Sequence, residues 1–333
     1  MTGIVMRVLV RLIANPLASG VSEQVLDAVV ARLTAVCQLE LQRTAGVGHA
    51  AQLAGEPGAD VVVALGGDGT ANEVANGVRE DVRLGVLPAG ASSVFARQLG
   101  FSTDTVQAAG QLARALAAGS TRRVGLGRLD GRRFTFAASV GFDAAATRDI
   151  DRARHDRPDQ RRPGDLKVVA AGVRELAGER FRLRERMTVR ADGGRPLRVS
   201  YLIIANQHPY TYFGRLAVQA TPRASFDTGL DAVAVGELRP HDLWRLAVYA
   251  LVWPRHASGA SHRIAYLHDL SRLEVDCDLP MAVQLDGEYV GELERIRIDY
   301  EPAAVEVFLP ADGGARAGRR RRRPLSFRPP CTS

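Results

Sequence analysis

The sequence predicts an α/β protein in two parts: an N-terminal domain built on a parallel sheet and a C-terminal domain built as a β-sandwich. Three observations support this prediction. Strand and helix patterns alternate over residues 1–122, whereas short β-like segments separated by turns dominate residues 123–299. The chain of 333 residues, 46% hydrophobic and 24% charged, is long enough for about two domains, each with a sizeable core.

The alternation begins with a largely apolar segment at residues 8–14, which predicts a strand. A helix follows, and Ser22 is a suitable N-cap for it because a serine oxygen can accept from the first helical N–H groups. Further strands are predicted at 39–42, 59–65 and 84–87, and further helices at 70–78, 93–99 and 106–117. Residues 59–65 are almost entirely apolar, which is typical of a strand buried on both faces of a parallel sheet.

The second part begins with two strands joined by an LDGR turn at residues 129–132. Later strands are predicted at 186–189, 197–205, 230–235, 272–275, 281–285, 296–300 and 304–309, with helices at 166–176 and 241–252. Residues 149–162 are rich in arginine and aspartate and poor in apolar side chains, so we expect a mobile loop there. Residues 311–333 are predicted to be a disordered, arginine-rich tail.

The composition excludes several classes of protein. Cys37, Cys277 and Cys331 are too far apart for a disulfide framework or a metal-binding motif, which favours a reducing compartment. The apolar N-terminus contains arginines and no signal cleavage site, and the apolar stretch near residues 243–253 is too short to span a bilayer. We therefore expect a cytoplasmic protein.

The net charge is +7, and Lys167 is the only lysine, so the excess is almost entirely arginine. Five consecutive arginines at residues 319–323 are either part of a solvated end or an electrostatic anchor for an anionic membrane. Stacking aromatics and base-reading motifs are missing beside them, so we expect no nucleic-acid partner.

A GGDGT segment at residues 66–70 follows the most apolar strand and leads into a helix. Glycines at such a turn let backbone N–H groups approach a ligand, and the helix N-terminus favours an anion such as phosphate. The segment matches neither the Walker A pattern nor the dinucleotide fingerprint. The alternative is a tight strand-to-helix turn in which Asp68 caps the helix.

Seven segments together resemble the diacylglycerol kinase catalytic-domain family, which includes sphingosine and ceramide kinases. GGDGT, followed by Asn72 and Glu73, is similar to the family's signature. The others follow in the family's order: NPLASG at 15–20, TAGVGHA at 44–50, LPAGASSVFAR at 87–97, VGFDA at 140–144, ATPRASFDTGLD at 220–231 and LDGE at 285–288. The resemblance extends to about residue 309.

The resemblance implies an NAD kinase-like ATP-binding domain at 1–122, completed by residues 300–310, and a lipid-substrate domain at 123–299. It also implies the use of ATP and Mg2+. Glu288 would be the general base and Asp68 would lie near the phosphates and the metal, while Asp227 and Leu230 would hold a second Mg2+. The implied nucleotide contacts are Asn15, Pro16, Ser19, Thr44, Gly66, Gly67, Asp68, Gly69, Thr70, Asn72, Glu73 and Ser92.

Several of these residues have a plainer interpretation. Residues 286–288 also match an ordinary hairpin turn, and Asp227 is also a common turn acid. The aromatic side chains of Tyr210, Tyr212 and Phe213 could either line a lipid cleft or pack within a loop. The chain departs from the family at Ser93, Gly125 and Thr228, where relatives usually have an amide, an acid and an acid. These departures bear on full activity.

The sequence therefore predicts an ATP-dependent kinase that phosphorylates a lipid hydroxyl, with diacylglycerol as the first choice and phosphatidic acid as the product. The alternatives are a kinase for a sphingoid base or another lipid alcohol, and a degenerate protein that binds nucleotide or lipid without transfer. The expected partners are the lipid substrate and an anionic membrane, at whose inner face the protein would be peripheral. A homodimer is compatible with the sequence.

Overall fold

The computed structural model describes residues 8–155, 183–213, 216–237 and 264–311. Strands and helices alternate from the start of the first range. They are β1 Leu9–Ala14, α1 Glu23–Thr34, β2 Gln38–Arg43, α2 His49–Gly55, β3 Val61–Gly66, α3 Asp68–Gly77, β4 Arg83–Pro88, α4 Val94–Gln98 and α5 Thr105–Ala118. Each predicted element of this region is present, with ends that differ by a few residues.

Strands follow in the rest of the described chain, interrupted by one helix. In chain order, the strands and this helix are β5 Thr121–Leu129, β6 Arg132–Phe134, β7 Ala137–Val140, α6 Phe142–His155, β8 Met187–Ala191, β9 Leu197–Val199, β10 Tyr201–Ala205, β11 Thr211–Phe213, β12 Leu216–Val218, β13 Leu230–Val235, β14 Ile264–Leu270, β15 Arg272–Leu285 and β16 Glu288–Phe308. The predicted helices at 166–176 and 241–252, Lys167 and the tail from residue 312 lie outside the described residues.

The N-terminal sheet is parallel in the order β4-β3-β1-β2. All six residues of β3 are buried, as expected for a central parallel strand covered on both faces. Helix α1 packs with α5, and α2 packs with α3 so closely that a Cβ on Gly77 would lie 2.1 Å from the carbonyl oxygen of Ala51. The predicted N-cap is confirmed, since Ser22 Oγ accepts from Val25 N at 3.3 Å.

The C-terminal region is antiparallel, with β14-β13-β10-β7-β15-β16 as neighbours. The last of these strands, β16, is 21 residues long and joins the two regions. It pairs with β15 and β5 antiparallel and with β4 parallel, where Val307 lies opposite Leu84. The α/β fold class, with a parallel N-terminal sheet and an antiparallel C-terminal region, is confirmed.

The strands predicted separately at 296–300 and 304–309 are both part of β16. The register shifts between Glu301 and Val305, where Pro302 has no N–H to donate and Ala303 has a φ of 50°. The sequence signals a break at that point, but the strand passes through it as a bulge.

The buried apolar residues form two large clusters, one around β1, β3 and β4 and the other around β7, β10, β13 and β15. Strand β5 contributes to both, because Val124 and Leu126 lie in the first cluster and Leu129 in the second. The predicted domain boundary at residue 122 falls within this strand.

Helix α6 contradicts the first part of the loop predicted at residues 149–162, and residues 156–162 lie outside the described residues. The helix continues to His155, and its polar side chains contact β16: Arg148 pairs with Glu292 at 2.9 Å, and Asp151 accepts from Tyr289 N at 3.0 Å. Asp151, one of the charged residues that suggested a loop, is instead used in a tertiary contact. In the described ranges we find no helix that combines the length and the apolar character needed to cross a bilayer.

Candidate functional site

The GGDGT turn lies between β3 and α3, at the carboxyl edge of the parallel sheet. A Cβ on Gly66 would lie 2.5 Å from Oγ1 of Thr70, so only glycine allows this close approach. Asn15, at the end of the neighbouring strand β1, donates from Nδ2 to the same Thr70 oxygen at 3.1 Å. The structure thus brings two predicted nucleotide-binding segments together.

Asp68 is buried, with 6% of its surface exposed, and its Oδ1 accepts from Phe95 N at 3.1 Å. Phe95 is in the first turn of α4, so this carboxylate is fixed at the start of a different helix. The residue that caps α3 is Gly67, which offers no side chain. The alternative in which Asp68 caps its own helix is therefore wrong.

The second glycine loop, at residues 88–93, packs directly on the GGDGT turn. A Cβ on Gly90 would lie 2.6 Å from Cα of Gly67, so the two backbones touch. Ser93 has φ 44° and ψ 50°, a left-handed conformation, and its Oγ bonds the N–H and the carbonyl of Gly90. Asparagine adopts this conformation more readily than serine, which gives a backbone reason for the amide found in the family at this position.

Glu288 reaches the GGDGT turn from the C-terminal region. Asp286 and Gly287 have φ values of 51° and 76° and form a two-residue hairpin between β15 and β16. The hairpin brings Glu288 so close to Gly69 that a Cβ on that glycine would lie 2.4 Å from Glu288 Oε1. Glu288 Oε2 accepts from Arg132 Nη2 at 2.8 Å. The plain hairpin interpretation is confirmed, and it is the hairpin that places the predicted base.

Asp286 is an anchor that the sequence interpretation missed. It is 2% exposed and accepts from the backbone N–H groups of Thr135, Phe136 and Ala137, from the Thr135 hydroxyl and from Asn72 Nδ2. Burial raises the pKa of the Asp286 carboxyl, and the backbone donors oppose that shift. The sequence signal was the DG dipeptide, which indicated a turn and gave no sign of this long-range role.

Two of the predicted nucleotide contacts bind protein groups in the structure. Asn72 Nδ2 donates to the Arg133 carbonyl as well as to Asp286, which links α3 to the C-terminal region. Glu73 accepts from Gly48 N and Ala50 N at the start of α2. Both side chains thus support the elements around the turn.

Other predicted contacts lie in loops or exposed positions near this sheet edge. Pro16 and Ser19 are exposed in the loop after β1, and Thr44 directly follows β2, with its N–H bonded to the Ala14 carbonyl at 2.9 Å. Ser92 is half-buried in the second glycine loop. The ends of neighbouring parallel strands therefore gather these residues on the side of the sheet where α/β proteins bind ligands.

The predicted second metal site has a different arrangement. The exposed Asp227 forms an ion pair with Arg122, and Leu230 is the buried first residue of β13. The Tyr300 ring packs where a side chain on Gly125 would lie, with the hydroxyl 2.0 Å from an added Cβ. Across the part of the chain that the structure describes, no three or more His, Cys, Asp or Glu side chains cluster as a metal site. The predicted site uses one carboxylate, Asp227, together with carbonyl groups such as that of Leu230, so it stays a prediction.

The glycine turns fit a triphosphate with its metal better. Mg2+ commonly binds one or two carboxylates together with substrate phosphates, and Asp68 is the carboxylate inside this turn. Gly66, Gly67, Gly69 and Gly90 add no side chains of their own to the turn, and α3 begins within it at Asp68. Asp68 lies in the turn itself, and Glu288 approaches it at Gly69.

Comparisons with known proteins agree with the family resemblance that the sequence motifs indicate. Residues 9–129 match the model of the diacylglycerol kinase catalytic domain. The chain is 28% identical to a diacylglycerol kinase of Bacillus subtilis (strain 168), over 74% of this chain and 76% of that protein. It is 29% identical to a Stenotrophomonas maltophilia (strain K279a) protein named "Probable lipid kinase YegS-like", over 90% and 96%.

Solved structures show the same fold. A crystal structure from Bacillus anthracis str. Sterne superposes with a TM-score of 0.72 at 18% identity, covering 91% of this chain and 97% of that chain. A diacylglycerol kinase structure from the same organism gives 0.66 at 17% identity, with the same coverage. The solved structures share the fold, and the model match over residues 9–129 with the two curated relatives confirms the resemblance to the diacylglycerol kinase catalytic-domain family, a family of lipid phosphotransferases.

Proposed function

We propose that this protein transfers the γ-phosphoryl group of ATP to the hydroxyl of diacylglycerol, giving phosphatidic acid. The observation that carries the proposal is the position of Glu288 Oε1, which occupies the place where a Cβ on Gly69 would lie. It places a carboxylate from the C-terminal region directly on the predicted phosphate turn. A base that is to deprotonate an acceptor beside a bound phosphate has to reach this position.

In the proposed reaction Glu288 accepts the proton of the lipid hydroxyl while that oxygen bonds to the γ-phosphorus and the bond to ADP breaks. Bound Mg2+ would neutralise charge on the phosphates. Asp68 would hold the metal, directly or through water, and the glycine turns would offer backbone N–H groups. Arg132 Nη2 donates to Glu288 Oε2 at 2.8 Å, so the base has a cationic partner beside the turn.

The acceptor is the finer part of the proposal. The relative named diacylglycerol kinase supports diacylglycerol, whereas the YegS-like relative, which covers more of the chain, supports a broader range of lipid alcohols. A second candidate is therefore a kinase for a sphingoid base or another lipid alcohol. In either case the substrate is in a bilayer, so we propose peripheral contact with the inner face of an anionic membrane.

The test is phosphoryl transfer from γ-labelled ATP to diacylglycerol, monoacylglycerol, ceramide and sphingosine in mixed micelles. We expect diacylglycerol to be labelled and Glu288→Gln to lower kcat by about 10²- to 10⁴-fold, the usual contribution of a general base. Glu292→Gln is the matched control, since Glu292 is on the same strand and pairs with Arg148 away from the turn. Labelling of another lipid would favour the second candidate. Binding of ATP without transfer to any lipid would refute the kinase proposal.

A further inference from the structure

The backbone on both sides of Glu288 is held by side chains that the proposed reaction does not use. Gly287 N donates to Gln284 Oε1 at 2.7 Å, and Tyr289 N donates to Asp151 Oδ2 at 3.0 Å. Asp151 is on α6. The residue proposed as the base is therefore held through the N–H groups of its two neighbouring residues, Gly287 and Tyr289.

Gln284 is itself oriented by a buried cluster. Its Nε2 donates to Ser139 Oγ at 2.9 Å and to Tyr210 Oη at 3.3 Å. Both hydroxyls donate onward to Asp143, Ser139 to Oδ1 at 2.6 Å and Tyr210 to Oδ2 at 3.2 Å. Because the carboxylate accepts both hydroxyl protons, the Gln284 amide nitrogen has to face the hydroxyls and its oxygen has to face Gly287.

This cluster is built by the fold. Ser139 and Gln284 lie directly opposite each other on β7 and β15, and Asp143 is in the first turn of α6. Ser139 is 0% exposed and Gln284 4%. Burial raises the pKa of the Tyr210 hydroxyl well above its ordinary range, so this tyrosine keeps its proton and stays a donor to Asp143.

The cluster also contacts the N-terminal region. Tyr210 follows Pro209, whose carbonyl accepts from Gln98 Nε2 at 2.9 Å at the end of α4. The start of the same helix holds Asp68 through Phe95 N. One short helix is thus bonded at one end to the carboxylate of the phosphate turn and at the other to the segment that orients Gln284.

We propose that Ser139, Tyr210 and Gln284, anchored on Asp143, form a positioning cluster that holds Glu288 against the phosphate turn. These are positioning residues, since each acts through the hairpin backbone. The proposal rests on the proposed function only for the role of Glu288; the hydrogen bonds themselves are independent of it. A misplacement of about 1 Å at a reacting group can lower a rate by about 10²-fold, so loss of the cluster should affect turnover strongly.

The test compares Ser139→Ala with Ser200→Ala in the full chain. Ser200 is also a buried serine of the C-terminal region, and its Oγ bonds backbone carbonyls away from the hairpin. We expect Ser139→Ala to lower kcat by about 10-fold or more with KM for ATP changed less than about twofold, since the phosphate turn is intact. Ser200→Ala should keep the wild-type kcat.

A second measurement does not depend on activity. Amide hydrogen exchange in a peptide spanning residues 285–289 should be faster in Ser139→Ala than in the wild type, and unchanged in Ser200→Ala, if the cluster holds Gly287 N. Equal exchange in the two variants, or a Ser139→Ala kcat within twofold of the control, would overturn the inference while the wild type still labels lipid. A wild type that labels no lipid would instead overturn the proposed function.

Discussion

Two glycine-containing turns meet at the site, and they position their carboxylates in opposite ways. In the GGDGT turn, the acid within the turn is the proposed functional group, and Asp68 is fixed by the backbone of α4. In the hairpin at 286–287, the acid within the turn is the structural anchor Asp286. The proposed base is Glu288, the first residue after the turn. The proposed functional acid of the first turn belongs to the turn itself. The proposed base of the second follows the turn, and the N–H groups of its neighbouring residues are bonded by the side chains of Gln284 and Asp151.

Among the variants that test this comparison, the largest loss of activity is expected at Asp68 in the first turn. Asp68→Asn keeps an oxygen that can accept from Phe95 N but removes the charge, so activity should fall by about 10²- to 10³-fold with little loss of stability. Asp104→Asn is the matched control, because the Asp104 carboxylate likewise accepts from a backbone N–H in the first turn of a helix, that of Gln107 at 2.7 Å. Kinase assays with thermal melts check both variants. A variant of Asp68 with normal turnover would show that the turn carries no functional acid.

The contact between the two turns can be broken from the glycine side. Gly69→Ala would place a Cβ 2.4 Å from Glu288 Oε1 and push the flexible carboxylate away, so kcat should fall by about 10²-fold. The fold should tolerate the change, because Gly69 is in a helix where alanine is favoured by about 0.5–1 kcal/mol. Gly110→Ala, within α5 and with no atom closer than 3.7 Å, should gain similar stability and keep full activity. Unchanged kcat in Gly69→Ala would contradict the Glu288 placement.

Replacing the acid within the second turn should lower the stability of the fold more than replacing the acid within the first. Asp286→Asn replaces one acceptor oxygen by an NH2 group that faces buried donors, which should lower the free energy of unfolding by about 3 kcal/mol. Asp276→Asn, on the strand β15 that leads into the hairpin, removes only an exposed pair with Arg190, so it should cost less than about 1 kcal/mol. Urea unfolding measures both. Equal values would mean that the hairpin does not depend on its anchor.

The smallest expected effect concerns pH. The Arg133 guanidinium hydrogen-bonds Glu301 and lowers the pKa of that carboxyl from its ordinary 4.5. A lowered folded-state pKa means that the stabilisation is present above the unfolded pKa and is lost as pH falls through the folded pKa. Between pH 6 and pH 3 the wild type should therefore lose about 1 kcal/mol more than Glu301→Gln. Glu274→Gln, at an exposed position of β15, should follow the wild-type profile.

The N-terminal elements could be predicted because their signals are local. Strand β3 is apolar throughout, Ser22 caps α1, and the alternation of periods indicated a parallel sheet. Helix α6 could not be predicted in full, because Arg148 and Asp151 are satisfied by contacts with β16 that are distant in sequence. The union of two predicted strands into β16 was missed for the same reason: Pro302 is a local break signal, and nonlocal pairing overrides it.

At the site, the sequence determined the turn chemistry. The glycines at 66, 67 and 69 permit the close approaches of the first turn, and the DG pair at 286–287 favours the positive φ angles of a two-residue hairpin. Only the tertiary structure determined which side chains these turns contact. It places Glu288 beside Gly69, and it pairs Asp286 with Asn72. It also places Gln284 beside Ser139 and Tyr210. Turns are set by a few neighbouring dihedral angles, whereas these contacts depend on strand pairing between residues more than sixty positions apart.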